Sequence, residues 1–90
     1  MLFVVLGSVR AGTSRDRIER RLAYAHPEGI RPVAEYWLQT PDPVMILVAD
    51  ADDVASMMAG SSQWDDLLSI RVIPAVTAEQ GLEIAKKMMG

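Results

Sequence analysis

Residues 41–43 (PDP) constrain the fold of this chain more than any other part of the sequence. They separate two strand-like stretches, residues 31–40 and residues 44–49, and the second stretch is apolar throughout (VMILVA). Three residues are too few for the helical crossover that parallel neighbours require, so the two strands must pair antiparallel. The turn therefore argues against an all-parallel, doubly wound sheet.

Two more strands follow from residue type. Residues 2–6 (LFVVL) form a β-branched apolar run, which is typical of a strand buried on both faces, and residues 7–12 connect it to a helix. Residues 68–76 (LSIRVIPAV) form a fourth strand, which a proline favours at a sheet edge. The mixed polarity of residues 31–40 also favours an edge, so the two wholly apolar strands are predicted to be central.

Three helices are predicted between and after the strands. Their starts carry side chains able to cap a first turn: Thr13 with Asp16, Asp50 or Asp52, and Thr77 with Gln80. Their buried faces are predicted from helical spacing: Ile18, Leu22 and Ala25, then Val54, Met57 and Met58, then Leu82, Ala85 and Met89.

This β-α-β-β-α-β order predicts a single ferredoxin-like α+β domain over residues 1–90. It has a four-stranded antiparallel sheet, two helices on one face and a C-terminal helix. Half of the 90 residues are hydrophobic, which is more apolar surface than so small a domain hides alone. Nothing in the chain covers the second face of the sheet, so we predict a homodimer through that face. The sequence leaves open whether the last helix crosses to the partner.

Charge and composition exclude several functions. The net charge of −3 argues against a general nucleic-acid binder. The chain has no cysteine and one histidine, which excludes disulfides, thiolate nucleophiles and cysteine-ligated metals, and we predict neither a metal nor a cofactor. Without disulfides a cytoplasmic location is the default. No apolar stretch reaches the ~20 residues of a membrane-spanning helix.

Five short segments carry a resemblance to known proteins: residues 1–3 (MLF), 28–31 (EGIR), 52–53 (DD), 64–67 (WDDL) and 72–74 (VIP). On these segments and the element order, the chain resembles the dimeric α+β barrel superfamily, in which two ferredoxin-like subunits pack sheet against sheet. Within it, the chain is similar to a family of small prokaryotic domains of unknown function.

The resemblance implies a pocket between the sheet and its helices. Phe3, Tyr36 and Trp64 are the candidates to line it, with His26 as a further one. The superfamily includes cofactor-independent monooxygenases, haem-degrading enzymes, isomerases and ligand-sensing domains. A fold shared by so many activities does not choose among them.

Residues 7–14 (GSVRAGTS) follow a strand and open a helix, which is where backbone N–H groups often hold phosphate. Ser8, Arg10, Thr13 and Ser14 are the candidate anion-binding residues. Thr13 stands where a P-loop would have lysine, which argues strongly against nucleotide hydrolysis. The run also looks like the opening of NAD(P)H-dependent flavin reductases, but those are parallel sheets nearly twice this length. A glycine-hinged loop is the simpler interpretation.

Two residues are candidates for proton transfer. His26 is the only side chain with an ordinary pKa near neutrality, although a histidine at a helix end often only favours the helix dipole. Asp65 follows Trp64, and a carboxylate beside an aromatic ring in an apolar pocket can act as a base. The simpler alternative is that Trp64 packs a helix onto the sheet.

The sequence leaves three classes of function open. The first is a homodimer that binds a small apolar metabolite between sheet and helices. The second is a cofactor-independent monooxygenase or isomerase acting on a small aromatic metabolite, and the third is a structural partner domain without a cavity. Flavin or phosphate binding at residues 7–14 is a further alternative.

Overall fold

The computed structural model describes residues 1–90 and contains four strands and three helices. In chain order these are β1 (Leu2–Val9), α1 (Ser14–Ala23), β2 (Ile30–Trp37), β3 (Met45–Ala51), α2 (Val54–Ser62), β4 (Leu68–Ala75) and α3 (Ala78–Met89). The strands form one sheet in the order β2-β3-β1-β4, and all neighbours are antiparallel. The predicted ferredoxin-like α+β arrangement, with β1 and β3 central, is confirmed.

Some predicted boundaries are wrong at the ends of elements. The connection predicted over residues 7–12 is shorter, because Gly7 pairs with both Met45 and Ile70 and β1 continues to Val9. The N-cap of α2 is Asp53, whose side chain accepts from the Ser56 backbone N–H, and not Asp50 or Asp52.

Both displaced aspartates have another partner. The carboxylates of Asp50 and Asp52 pair with the Arg31 guanidinium at 2.8 and 3.0 Å. The two capping boxes, Thr13 with Asp16 and Thr77 with Gln80, are present as predicted.

Strand β2 contains a register shift between Pro32 and Ala34 that changes which residues share a face. Alternation alone predicts Pro32 with Tyr36 on one face and Glu35 with Trp37 on the other. The shift instead separates Pro32, which lies opposite Ala49 on the helix side, from Tyr36, which lies opposite Ile46 on the other face. Glu35 and Trp37 lie opposite Leu47 and Met45, whose side chains face the helices. An unpaired residue in one strand of an antiparallel pair produces such a switch.

The hydrophobic core lies between the sheet and α2. It consists of seven buried side chains: Phe3, Val5, Ile30, Leu47, Ala49, Ala51 and Met57. Helix α2 approaches closely because Gly60 has no side chain; a Cβ there would lie 3.2 Å from both the Ile30 Cδ1 and the Tyr24 hydroxyl oxygen. A second cluster of Trp64, Leu67 and Leu68 closes the turn between α2 and β4.

The two other helices bury no residue. The stripe predicted for α1 is wrong at all three positions: Ile18 is 42% exposed, Leu22 is 81% exposed, and Ala25 is exposed beyond the end of the helix. The stripe predicted for α3, Leu82, Ala85 and Met89, is exposed as well. Val54 and Met58 of α2 are also exposed, contrary to the sequence prediction. The inward side of α1 carries two arginines, Arg17 and Arg21, around Ile18.

The face of the sheet away from α1 and α2 has an apolar centre. It is formed by alternate residues of the strands: Leu2, Val4, Leu6, Ile46, Val48 and Ile73. Ion pairs lie towards its two ends, Arg31 with Asp50 and Arg71 with Asp42. We refer to this surface as the open sheet face, and no helix of the chain covers it.

Candidate functional site

A cavity of about 600 Å³ lies between the sheet and the helices. Its apolar floor is supplied by side chains of the sheet: Val5, Leu47, Leu68, Ile70 and Val72. The inward side of α1 forms one wall, and Met57 and Trp64 contribute to the other. Since ligand pockets in proteins commonly measure about 300–1,000 Å³ and are mostly apolar, the space is large enough for a small organic molecule.

Aromatic side chains form one end of the cavity wall. The rings of Tyr24 and Trp64 meet edge to face with centroids 5.4 Å apart, and those of Tyr24 and His26 do the same at 5.1 Å. The Arg20 guanidinium lies 5.8 Å from the centroid of the Trp64 ring on which it stacks, and it pairs with Asp66 at 2.7 Å. These contacts fix Trp64, which is only 8% exposed.

A half-buried ion pair ties α1 to β2 across the cavity. The Arg21 Nε and Nη2 donate to the Glu35 carboxylate at 3.0 and 2.9 Å, and the Trp37 Nε1–H donates to the same carboxylate at 2.7 Å. Hydrogen bonding from Arg21, assisted by that from Trp37, lowers the pKa of Glu35. The Glu35 carboxylate is therefore ionised at neutral pH and already has strong donors.

His26 carries the one buried side-chain polar atom without a hydrogen-bond partner, its Nε2. Burial lowers the pKa of His26, the nearby Arg21 lowers it further, and Glu35 partly opposes the change. The imidazole is thus neutral at pH 7. A neutral imidazole can accept a proton, but a general base is usually oriented by a second group, and no hydrogen bond orients this ring.

The structure separates the residues that the sequence suggested for a pocket. Trp64 and His26 line the cavity. Phe3 is fully buried in the core, at 1% exposure, and Tyr36 is 57% exposed on the open sheet face. The side chain of Asp65 is exposed outside the cavity, where the residue's backbone carbonyl accepts from Arg10.

The candidate anion-binding residues do not converge on one point. Ser8 lies on β1 and its hydroxyl donates to Asp42, while Arg10 bonds the Asp65 carbonyl at 2.9 Å. The Thr13 backbone N–H donates to the Asp16 carboxylate at 2.6 Å, so a side chain of the helix already provides the negative charge at its N-terminus. Ser14 lines the edge of the cavity.

Several cavity residues were missed by sequence reasoning. Arg17, Arg21, Glu35 and Trp37 all line it. The available signal was the pair of arginines one turn apart around Ile18, together with a glutamate inside a strand.

No group of three or more His, Asp or Glu side chains is placed to hold a metal ion. None of the three helices is long and apolar enough to cross a membrane.

Comparison with known families places the chain. A family described as "Domain of unknown function (DUF3303)" has a sequence model that matches residues 1–89. The chain belongs to this family. No curated protein and no solved structure matches the chain. The DUF3303 description names no activity, so the function of the domain has to be argued from its geometry.

Proposed function

We propose that this DUF3303 domain binds a small, mainly apolar metabolite in the cavity between its sheet and α1. The cavity itself supports the proposal most strongly: it measures about 600 Å³, and 15 of its 25 lining residues are hydrophobic. The space opens to solvent beside the core of seven buried residues, so a ligand could enter it without disturbing that core.

Binding fits the polar groups of the cavity better than catalysis does. His26 has no partner to orient it, and the carboxylate of Asp65 lies outside the space. Glu35 is held by Arg21 and Trp37 and keeps its charge. A few fixed polar groups in an apolar wall are typical of a site that selects and orients a ligand.

Filling the cavity tests the proposal. Ile70→Trp would put an indole into the space from β4, whereas Leu22→Trp would add the same group on the solvent side of α1. Thermal unfolding is followed with a panel of small aromatic and aliphatic metabolites, because a ligand that binds only the folded state raises Tm. We expect at least one compound to stabilise the wild type and Leu22→Trp but not Ile70→Trp.

Two results would contradict ligand binding in the cavity. One is a panel without any stabilising compound, and the other is a stabilisation that persists in Ile70→Trp. Circular dichroism of both variants establishes that they are folded before the comparison is made.

We also propose that the domain is a homodimer in which the open sheet faces of two copies pack together. The apolar centre of this face, bounded by ion pairs, matches the pattern of an interface with an apolar core and a polar rim. A two-fold axis would place the same residues of both copies against each other. Such packing would remove Val4, Leu6, Val48 and Ile73 from water.

Charge substitution on the open sheet face tests the dimer. Val48→Glu would bury a carboxylate at the centre of the interface, and we expect a folded monomer. Leu22→Glu puts the same charge on an exposed apolar site elsewhere and should remain dimeric. Native mass spectrometry and light scattering report the mass. A wild-type monomer at micromolar concentration would contradict the homodimer.

A further inference from the structure

Arg17 is the only one of the seven arginines whose guanidinium has no hydrogen-bond or ion-pair partner within the chain. The other six are each bonded to a carboxylate or to a backbone carbonyl: Arg10, Arg15, Arg20, Arg21, Arg31 and Arg71. The side chains of Arg15, Arg31 and Arg71 are more exposed to water than that of Arg21. The pKa of the neighbouring Asp16 is lowered by hydrogen bonds from Thr13 and by the charge of Arg17, but the Asp16 carboxylate is bonded to Thr13 and makes no hydrogen bond with Arg17.

The unpaired guanidinium of Arg17 belongs to a residue of the cavity wall. The residue is half-buried and lines the cavity. It lies one turn before Arg21 on the inward side of α1, which is about 6 Å along the helix axis. The free guanidinium therefore borders the same space as the apolar floor of Leu68 and Val72.

The charges of the cavity do not cancel. Its lining contains two arginines, one glutamate and the neutral His26. The Glu35 carboxylate receives two nitrogen atoms of Arg21 and the Trp37 indole N–H, so its charge is matched by Arg21. One positive charge, that of Arg17, is left over beside an apolar space.

We propose that the ligand of this cavity is an amphipathic organic monoanion, with a carboxylate that pairs with Arg17 and an apolar body that packs against Trp64, Leu68 and Val72. This inference rests on the proposed function and specifies its ligand class. The planar guanidinium matches a carboxylate with two parallel hydrogen bonds, and pairing in a partly buried site is stronger than in water. A cationic ligand would be repelled by the unpaired charge of Arg17.

The experiment compares ligands that share a shape and differ in charge. The probes are 2-naphthoate, its neutral amide 2-naphthamide, and the cation 2-naphthamidine, each titrated calorimetrically into the full chain. Arg17→Gln removes the charge and Arg17→Lys keeps it. Arg15→Gln is the matched control, because Arg15 is on the same helix but points to solvent and pairs with Glu19.

For the wild type and Arg15→Gln we expect 2-naphthoate to bind at least about tenfold more tightly than the amide, because hydrogen bonds between charged groups are the strong ones. In Arg17→Gln the Kd of 2-naphthoate should rise to about that of the amide, while the Kd of the amide changes less than about twofold. Arg17→Lys should retain part of the preference, since it keeps the charge without the planar fork.

The outcomes separate this inference from the cavity proposal. Equal affinity of the wild type for 2-naphthoate and 2-naphthamide would overturn the anion assignment while leaving a ligand site in the cavity. A preference for 2-naphthoate that survives in Arg17→Gln would also overturn it. If no probe binds, the anion assignment fails and the result counts against the cavity as a ligand site as well.

Discussion

The two helices on the covered face of the sheet, α1 and α2, differ in how much they bury. Helix α2 buries Met57 to 3% exposure and uses Gly60 to approach Ile30, and the core lies beneath it. Helix α1 buries nothing and faces the sheet across a cavity. The contrast indicates that α2 stabilises the fold while α1 forms one wall of the cavity.

The difference originates in the residues that each helix turns inward. Helix α2 presents an apolar side chain and a glycine, which allow close packing. Helix α1 presents Arg17 and Arg21, whose long charged side chains cannot enter an apolar core without partners. Arg21 finds one in Glu35 of β2, and Arg20 on the same helix pairs with Asp66, so α1 is held in place mainly by polar contacts rather than by buried apolar side chains.

Truncation of one inward side chain on each helix tests this difference and should have the largest effect. Met57→Ala removes a buried side chain of the core and should lower the free energy of unfolding by about 2–5 kcal/mol. Ile18→Ala on α1 removes a side chain that is already 42% exposed, and we expect about 1 kcal/mol or less. Urea unfolding measures both. Similar losses in the two variants would mean that α1 packs as α2 does.

The second test concerns the ion pair between α1 and β2, Arg21 with Glu35. Arg21→Met leaves the Glu35 carboxylate half-buried with only Trp37 as a donor, and should cost about 1–2 kcal/mol in urea unfolding. Arg15→Met on the solvent side of the same helix breaks an exposed pair with Glu19 and should cost less than about 0.5 kcal/mol. Equal costs would show that the Glu35 pair is no more than a surface contact.

Acidification should lower the free energy of unfolding through protonation of His26. Its pKa is lowered in the folded protein, mainly by burial, so below about pH 6.5 the unfolded chain binds more protons than the folded chain. The stability contributed by neutral His26 is therefore present above that pH and falls as the pH is lowered towards the depressed folded pKa. Urea unfolding between about pH 7.5 and 5 should show this decline.

His26→Gln provides the control for the acid effect. His26 is the only histidine, and the carboxylates with shifted pKa values, such as Glu35, have values below their usual range. The variant should therefore lose little stability between those pH values. A decline of the same size in His26→Gln would assign the acid sensitivity to another group.

Much of the fold could be predicted, because it is encoded by local signals. The short turn at residues 41–43, the apolar central strands and the two capping boxes lead to the observed sheet order. The inward side of α1 could not be predicted from spacing. Its apolar stripe contains few residues, and the partner that orients the helix, Glu35, is distant in sequence.

The site was less predictable than the fold for a related reason. Whether Tyr36 or Trp37 faces the helices depends on the register shift between Pro32 and Ala34, which alternation does not reveal. Trp64 and His26 were suggested for a pocket from the sequence and do border the cavity, but the charges around it come from Arg17, Arg21 and Glu35. Arg17 and Arg21 of α1 come close to Glu35 of β2 only in the folded chain, so their shared location cannot be inferred from sequence spacing.

The two indole N–H groups can report directly whether the space under α1 binds a ligand. Trp37 and Trp64 are the only tryptophans and both line the cavity, and their Nε1–H signals are resolved from the backbone amides in a ¹H–¹⁵N correlation spectrum. On titration with 2-naphthoate we expect both signals to shift and saturate together, with no change in the amides of Val4 and Val48 on the open sheet face. Stationary indole signals, or shifts confined to the open sheet face, would contradict a ligand site under α1.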